Sequence, residues 1–179
     1  LLLKARRPDW WAFGSLNHHE GDLGGQLRML IDLGFDGLKM IEGKPDTYKR
    51  LGSRPINGPE YDAVYAAAES AGFPLLMHVG DPPELWDADN APEFAREHGW
   101  LYTGAGYPAP EELYAQVEDI LTRFPRLKVI LAHFFFLSDN RERADRFLAR
   151  HPHALFDLTP RPPMFAHFVP HPPPWRDFF

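Results

Sequence analysis

Two histidines in the sequence each follow a run of apolar residues. Residues 73–82 read FPLLMHVGDP, where the run leads to His78, and residues 127–140 read LKVILAHFFFLSDN, where it leads to His133. A neutral imidazole nitrogen is a good ligand for a divalent metal such as zinc, which lowers the pKa of a bound water to about 7. A histidine beside such a metal can also move protons, because its own pKa is about 6.5. The two histidines are therefore candidates for metal binding and acid–base catalysis.

The apolar runs before these histidines are typical of buried β-strands, and strands alternate with helices along the chain. Strands are predicted at residues 10–17, 37–42, 74–79, 127–133 and 154–159. Apolar residues at helical spacing predict helices at residues 21–34, 59–72, 110–124 and 140–150. Such alternation implies a parallel sheet, and no glycine-rich nucleotide-binding motif follows any strand. We therefore expect an α/β fold of the (β/α)8 TIM-barrel type. It should be incomplete, because a full barrel usually takes about 200–250 residues and the chain has 179.

The strand ends bring further polar residues into consideration. In a barrel the carboxyl ends of all strands lie on one face, where the chemistry occurs. We expect His78 and His133 to meet there, with Lys39 and Asp157 as candidate substrate-binding residues at similar positions on two other strands. Each has an ordinary alternative: a hydrogen-bonded structural histidine, a solvated or paired lysine, or an aspartate that caps a turn.

A long connection, residues 80–108, contains four large aromatic residues. They are Trp86, Trp100, Tyr102 and Tyr107. Connections of this length are usually functional or disordered, and the aromatic content argues against disorder. We predict a lid on the active-site face of a single partial barrel domain, residues 1–179, with Trp86 contacting substrate. Simple packing on the barrel rim is the alternative.

The other histidines are weaker candidates. The HPH sequence at residues 151–153 has metal-like spacing, but it precedes the fifth strand and should lie on the opposite face. His18 and His19 follow the first strand and could line the active-site face. His98 belongs to the long connection, and His167 and His171 lie in a proline-rich segment where exposure is expected.

Composition narrows the class of protein. The formal net charge is −6 and no run of basic residues with interleaved aromatics occurs, which argues against a nucleic-acid partner. No apolar run reaches the roughly 18 residues of a membrane helix, and the opening LLLKARRP does not resemble a signal peptide. Cysteine is absent, which fits a reducing compartment. We expect a cytoplasmic protein with a small-molecule substrate. Either a monomer or a homo-oligomer fits the composition.

Three segments resemble a bacterial branch of the metal-dependent amidohydrolase superfamily, the amidohydrolase 2 group. They are HVGDPPELWD, the block from Gly99 to Asn140, and HALFDLTP. Members of this group are distorted (β/α)8 barrels, mostly hydrolases, lactonases and nonoxidative decarboxylases of small carboxylated or aromatic compounds. The resemblance covers roughly residues 10–179, and it implies that the five predicted strands are strands 3–7 of the barrel.

The resemblance also implies roles for individual residues. His78 matches the metal ligand on strand five, and His133 matches the strand-six histidine that acts as acid or base or contacts the substrate. The group's H-x-H pair on strand one and aspartate on strand eight have no counterpart here, and Arg161 replaces its usual glycine after LTP. We expect the chain to begin after strand two and to end before strand eight, where WRDFF opens a helix. The 179-residue chain alone should then be inactive.

These observations predict a metal-dependent hydrolase, with zinc as the expected metal. Its activated water would attack a small carboxylated, lactone or amide substrate, with His78 as ligand and His133 as catalytic residue. One alternative is a nonoxidative decarboxylase of the same superfamily. The other is a degenerate barrel that binds a ligand or partner without chemistry.

Overall fold

A computed structural model of the chain describes residues 2–159. The predicted helical start at WRDFF, the substituted Arg161, and both His167 and His171 lie outside the described residues.

Parallel strands form one sheet in chain order. Five strands lie within residues 2–159: β1 Phe13–Gly14, β2 Gly37–Gly43, β3 Leu75–Val79, β4 Val129–Leu131 and β5 Ala154–Phe156. Every neighbouring pair is parallel, and the register places Leu38 beside Leu75 and Leu75 beside Val129. This sequential parallel order, with helices between strands, confirms the predicted incomplete (β/α)8 TIM-barrel-like fold.

Helices connect the strands and cover one face of the sheet. Within the described part of the chain they are α1 Leu2–Arg6, α2 Leu23–Asp32, α3 Pro45–Arg50, α4 Asp62–Ala71, α5 Glu93–Glu97, α6 Pro110–Arg123 and α7 Arg141–Arg150. Short 3-10 turns occupy Pro59–Tyr61, Pro83–Trp86 and Ala132–Phe136. None of the helices in residues 2–159 has the length and apolarity that crossing a bilayer requires.

The core lies between the sheet and the four longest helices. Alternate strand residues such as Leu38, Met77 and Val129 are buried against α2, α4, α6 and α7, whose inward side chains join the same cluster. The other strand residues form the opposite side of the sheet, which we call the open face: Lys39, Ile41, Leu76, His78, Ile130 and Leu155. Ile41 and Leu155 are 44% and 61% exposed. The open face is therefore the side from which strand residues can reach a ligand.

Several predicted elements differ in extent from those observed. The first strand shrinks from residues 10–17 to Phe13–Gly14, and the fourth ends at Leu131 rather than at His133. The loop after β2 contains α3, which starts at Pro45, a residue whose fixed φ suits a first helical turn. Residues 80–108 also contain the turn Pro83–Trp86 and α5, so this connection is partly helical.

Candidate active site

His78 and His133 meet at the carboxyl ends of β3 and β4. Their ring centroids are 5.0 Å apart and the ring planes cross at 75°. Phe136 packs against both rings, at 5.8 Å from His78 and 5.5 Å from His133. Both histidines line a cavity of about 230 Å³, together with Lys44, Asp81, Pro82, Leu85, Phe94, Trp100 and Phe136. The expected meeting of the two rings is therefore observed, while their catalytic roles stay predictions.

His133 reaches the cavity through an unusual backbone turn. Residues 133–136, which we call the left-handed turn, have φ of 58°, 57°, 53° and 52° although none is glycine. Such backbone costs roughly 1–2 kcal/mol per residue and rarely extends beyond one residue. Burial of Phe134 and Phe135, each 1% exposed, offsets part of that cost. The turn ends β4 and directs His133 toward the open face.

Asp157, which directly follows the neighbouring strand β5, binds the left-handed turn. Its Oδ1 accepts hydrogen bonds from the backbone N–H of His133 at 2.7 Å and of Thr159 at 3.1 Å. Its carbonyl oxygen accepts from the N–H of Phe134 at 2.9 Å. Burial acts to raise the pKa of Asp157, but the hydrogen bonds from Thr159 and His133 outweigh it, and the net pKa is lowered. The carboxylate thus stabilises the turn, and the predicted contact with substrate remains a prediction.

The surroundings of His133 favour its neutral form. Burial is the main cause that lowers its pKa, and the nearby His78 lowers it further. The Nδ1 atom lies 3.4 Å from the carbonyl oxygen of Thr159. At neutral pH the imidazole therefore keeps a free lone pair, as a general base requires.

His78 has a carboxylate partner that sequence reasoning missed. Its Nε2 lies 3.3 Å from Oδ1 of Asp81, and the hydroxyl of Tyr102 donates to Oδ2 of Asp81 at 2.7 Å. The side chains of His78 and Asp81 are only 15% and 10% exposed. The spacing of Asp81, three residues after His78 in a turn sequence, was the available signal. No signal in the sequence indicated the hydrogen bond between Asp81 and Tyr102, which lies 21 residues further along the chain.

Lys39 lines a second cavity, which shares none of its lining residues with the first. This cavity, of about 290 Å³ at the ends of β1 and β2, is also lined by His18, His19, Glu42 and Arg50. Burial lowers the pKa of Lys39, although the carboxylates of Asp157 and Glu42 oppose the shift. The ammonium group of Lys39 is close enough to act on His133, whose pKa it helps to lower. Lys39 therefore lies within electrostatic range of both His133 and Asp157.

Glu42, which is buried, pairs with the partly buried His18 in the wall of the same cavity. Nε2 of His18 lies 2.6 Å from Oε1 of Glu42, whose residue is 4% exposed. The other carboxylate oxygen, Oε2, is buried and has no hydrogen-bond partner within residues 2–159. Sequence reasoning placed His18 near the active-site face, and the structure brings it into the wall of the second cavity.

The long connection contributes Trp100, rather than Trp86, to the cavity that holds the histidines. The indole N–H of Trp86 donates to the carbonyl oxygen of Pro108 at 3.0 Å, and its ring packs on Tyr102 at 4.9 Å. Trp86 therefore holds the connection together, and its predicted substrate contact remains a prediction. Trp100 and Phe94 line the cavity, and Nζ of Lys44 lies 4.3 Å from the Trp100 ring centroid.

The HPH sequence lies away from this site, as predicted. It comes just before β5, at the amino end of the sheet, and Nε2 of His151 lies 3.1 Å from Oε2 of Glu118 on α6. His153 is exposed and does not line the cavity that His78 and His133 share.

The residues at the site fit part of a divalent metal centre. His78 offers an imidazole nitrogen to the cavity, and His133, whose lowered pKa favours the neutral form, lies beside it as the acid–base candidate. Among residues 2–159, however, no three histidine, aspartate or glutamate side chains form a group that could hold a metal ion. A metal at this site would need ligands from outside the described part of the chain.

The fold is similar to solved TIM-barrel structures. An uncharacterized TIM-barrel protein from Bordetella bronchiseptica matches with a TM-score of 0.59 and 18% identity, over 99% of this chain and 51% of that one. A putative amidohydrolase from Staphylococcus aureus matches with a TM-score of 0.55 and 21% identity, over 92% of this chain and 59% of that one. A 5-carboxyvanillate decarboxylase from Sphingomonas paucimobilis matches with a TM-score of 0.53 and 16% identity, over 93% of this chain and 54% of that one. The chain thus spans about half the length of these structures, and at these identities the likeness shows the fold alone.

The sequence comparison identifies the family. Among proteins of curated function, none matches the chain. The profile of the family described as amidohydrolase matches residues 25–179, which is most of the chain and includes both histidines of the site. This superfamily generally depends on a metal, as the resemblance of the HVGDP and LTP segments implied. The chain belongs to the amidohydrolase family, in its amidohydrolase 2 group.

Proposed function

We propose that the full-length gene product is a metal-dependent hydrolase of a small carboxylated, lactone or amide substrate. The observation that carries the proposal is the approach of the His78 and His133 rings to 5.0 Å in the wall of one cavity. Membership of a superfamily that generally depends on a metal supports an enzyme of this kind.

His78 would hold the metal, for which we propose zinc because of the imidazole donors. When bound, such a cation would lower the pKa of a water molecule and polarise the carbonyl group of the substrate. His133, kept neutral by its lowered pKa, would accept a proton from the attacking water and return it to the leaving group. Asp157 would keep His133 in position through the hydrogen bond to its backbone.

The rest of the site would bind and enclose the substrate. Lys39 would attract a substrate carboxylate, because it lies in the second cavity within electrostatic range of His133. Trp100, Phe94 and Phe136 would contact an apolar part of the substrate and exclude water. Trp86 would contribute to substrate binding indirectly, by holding residues 80–108 in the conformation that places Trp100 and Phe94 at the cavity.

Nonoxidative decarboxylation of an aromatic acid is the second candidate. The aromatic wall formed by Phe94, Trp100 and Phe136 suits a planar ring, and the fold resembles that of 5-carboxyvanillate decarboxylase. In that reaction a protonated His133 would deliver a proton to the ring carbon as carbon dioxide leaves. The lowered pKa of His133 makes this protonated form scarcer, and we therefore prefer hydrolysis.

We further propose a cytoplasmic location and a small-molecule substrate. The support for the compartment is the absence of cysteine, which fits a reducing environment. Association of copies into a homo-oligomer is a further prediction, which sedimentation of the full-length protein would test.

The test combines metal analysis with product analysis on the full-length protein. Lactones, amides and aromatic acids are supplied, and ring opening or amide cleavage is separated from release of carbon dioxide. His78→Ala should lose both bound metal and turnover, whereas His153→Ala, at the opposite end of the sheet, should retain both. Undiminished metal content and turnover in His78→Ala would defeat the proposal.

A further inference from the structure

A chain of hydrogen bonds runs from the long connection to His78. The hydroxyl of Tyr102 donates to Oδ2 of Asp81 at 2.7 Å, and Oδ1 of Asp81 lies 3.3 Å from Nε2 of His78. Tyr102 is 3% exposed, so its hydroxyl has little access to water. Asp81 is therefore held between a residue of the connection and a residue of β3.

The chemistry of the two partners determines which nitrogen of His78 carries the proton. An ionised carboxylate accepts hydrogen bonds and donates none, so Nε2 must carry hydrogen to bond with Asp81. In a neutral imidazole, the other nitrogen, Nδ1, then keeps its lone pair. Burial, followed by the hydrogen bond to Asp81, raises the pKa of Tyr102, so its hydroxyl remains a donor. Carboxylates that orient metal-binding histidines act in this way.

The contact with His78 depends on how well Asp81 is oriented. A separation of 3.3 Å is slightly beyond the usual range of such a bond, so a small rotation of the carboxylate would break it. Tyr102 restrains that rotation through the second oxygen. Tyr102 is itself held by the carbonyl oxygen of Leu85, which accepts from its N–H at 2.8 Å. The rings of Trp86 and Tyr107 pack on it at 4.9 and 5.0 Å.

We propose that Asp81 and Tyr102 are positioning residues that keep His78 in its Nε2–H tautomer and direct the Nδ1 lone pair to the site. Tyr102 makes this selection depend on the ordered packing of residues 80–108. The inference rests on the proposed function in treating His78 as a ligand, but the tautomer itself is a property of the metal-free protein.

Two conservative substitutions separate the contributions. In Asp81→Asn, with Tyr102 donating to the amide oxygen, the amide N–H group faces His78 and favours a bare Nε2, which moves the proton to Nδ1. Tyr102→Phe removes only the hydroxyl and leaves Asp81 free to rotate. Matched controls are Asp87→Asn, an exposed carboxylate in the same connection, and Tyr107→Phe, a tyrosine of the same aromatic cluster.

The measurement is histidine side-chain ¹⁵N NMR on the metal-free full-length protein, with His78→Gln assigning the signal. Wild type and both controls should show Nε2–H, Asp81→Asn should show a substantial Nδ1–H population, and Tyr102→Phe should lie between them. Zinc affinity should fall about 10–100-fold in Asp81→Asn and less in Tyr102→Phe. Thermal melts check that every variant is folded.

The outcomes distinguish this inference from the proposed function. An Nδ1–H tautomer in the wild type, or an unchanged tautomer in Asp81→Asn, would overturn the positioning role even if the enzyme binds metal and turns over. The predicted tautomer change in a protein that binds no zinc would uphold the hydrogen-bond chain and count against the proposed function alone.

Discussion

Replacing Asp157 with alanine should release the left-handed turn that carries His133. The carboxylate accepts from the backbone N–H of His133 at 2.7 Å and of Thr159 at 3.1 Å. Alanine removes Oδ1, the oxygen that accepts both bonds, and leaves the hydrogen bond from the N–H of Phe134 to the carbonyl oxygen of residue 157 in place. Since four consecutive residues have φ between 52° and 58°, the turn depends on external support and should relax when that support is lost.

The expected cost follows from the two hydrogen bonds. A bond to a charged acceptor contributes about 1.5–3 kcal/mol, and partial exposure of Asp157 puts each at the low end. Asp157→Ala should therefore lower the free energy of unfolding by about 3 kcal/mol. Asp157→Asn keeps one oxygen acceptor without the charge, so its cost should be about 1 kcal/mol.

The assay is equilibrium unfolding of the full-length protein in denaturant, together with turnover. Asp157→Ala should lower the transition midpoint and reduce kcat, because His133 no longer has a fixed position. Asp145→Ala is the control, since it removes a half-exposed carboxylate 3.3 Å from Arg141, a pair expected to contribute less than about 1 kcal/mol. A cost for Asp157→Ala no larger than that of the control would refute the role of Asp157.

Acid dependence gives an independent test of the same bonds. The pKa of Asp157 is lowered in the folded protein, so its contribution is fully present above the unfolded pKa of about 3.9. That contribution is lost as the pH falls through the folded pKa. The stability difference between wild type and Asp157→Ala should be constant from about pH 5 to 7 and should shrink below about pH 4. A difference that grows in acid would contradict the assignment.

Two other substitutions probe the second cavity. His18→Ala leaves the buried carboxylate of Glu42 without its partner and should lower the free energy of unfolding by about 3 kcal/mol. The double variant His18→Ala with Glu42→Leu should recover most of that loss. A loss below about 1 kcal/mol in His18→Ala would show that the pair does not stabilise the fold. Lys39→Met should raise KM for a carboxylated substrate about tenfold or more and leave KM for a neutral analogue little changed; equal effects on both substrates would exclude a charge contact.

Local sequence patterns were sufficient to predict most of the architecture. The spacing of Leu27 and Leu30 on α2, and of Val64 and Ala68 on α4, follows the helical period, and these side chains are buried as expected. The chain order of strands and helices then restricts the sheet to a parallel arrangement. These features were predictable because each depends on residues only a few positions apart.

Contacts between distant residues account for what the sequence did not reveal. The sequence predicts that the fourth strand extends to His133, because the apolar run continues to that residue and nothing local signals the positive φ that begins there. The conformation of the left-handed turn depends on Asp157, which lies 24 residues beyond His133. In the same way, Tyr102 and Asp81 meet across 21 residues, and the choice of Trp100 over Trp86 at the cavity reflects packing within the connection.

The two histidines of the site therefore reach it by different physical means. Leu75, Met77 and Val79 of β3 are buried against the helices, so alternation along the strand places His78 on the open face. A shift of one residue would bury it in the core, which the apolar pattern prevents. His133 lies beyond its strand and is positioned by a strained turn and by the carboxylate of Asp157, which directly follows β5. It follows that loss of Asp157 should displace His133 while leaving His78 and its bond to Asp81 intact, so metal affinity should change much less than kcat.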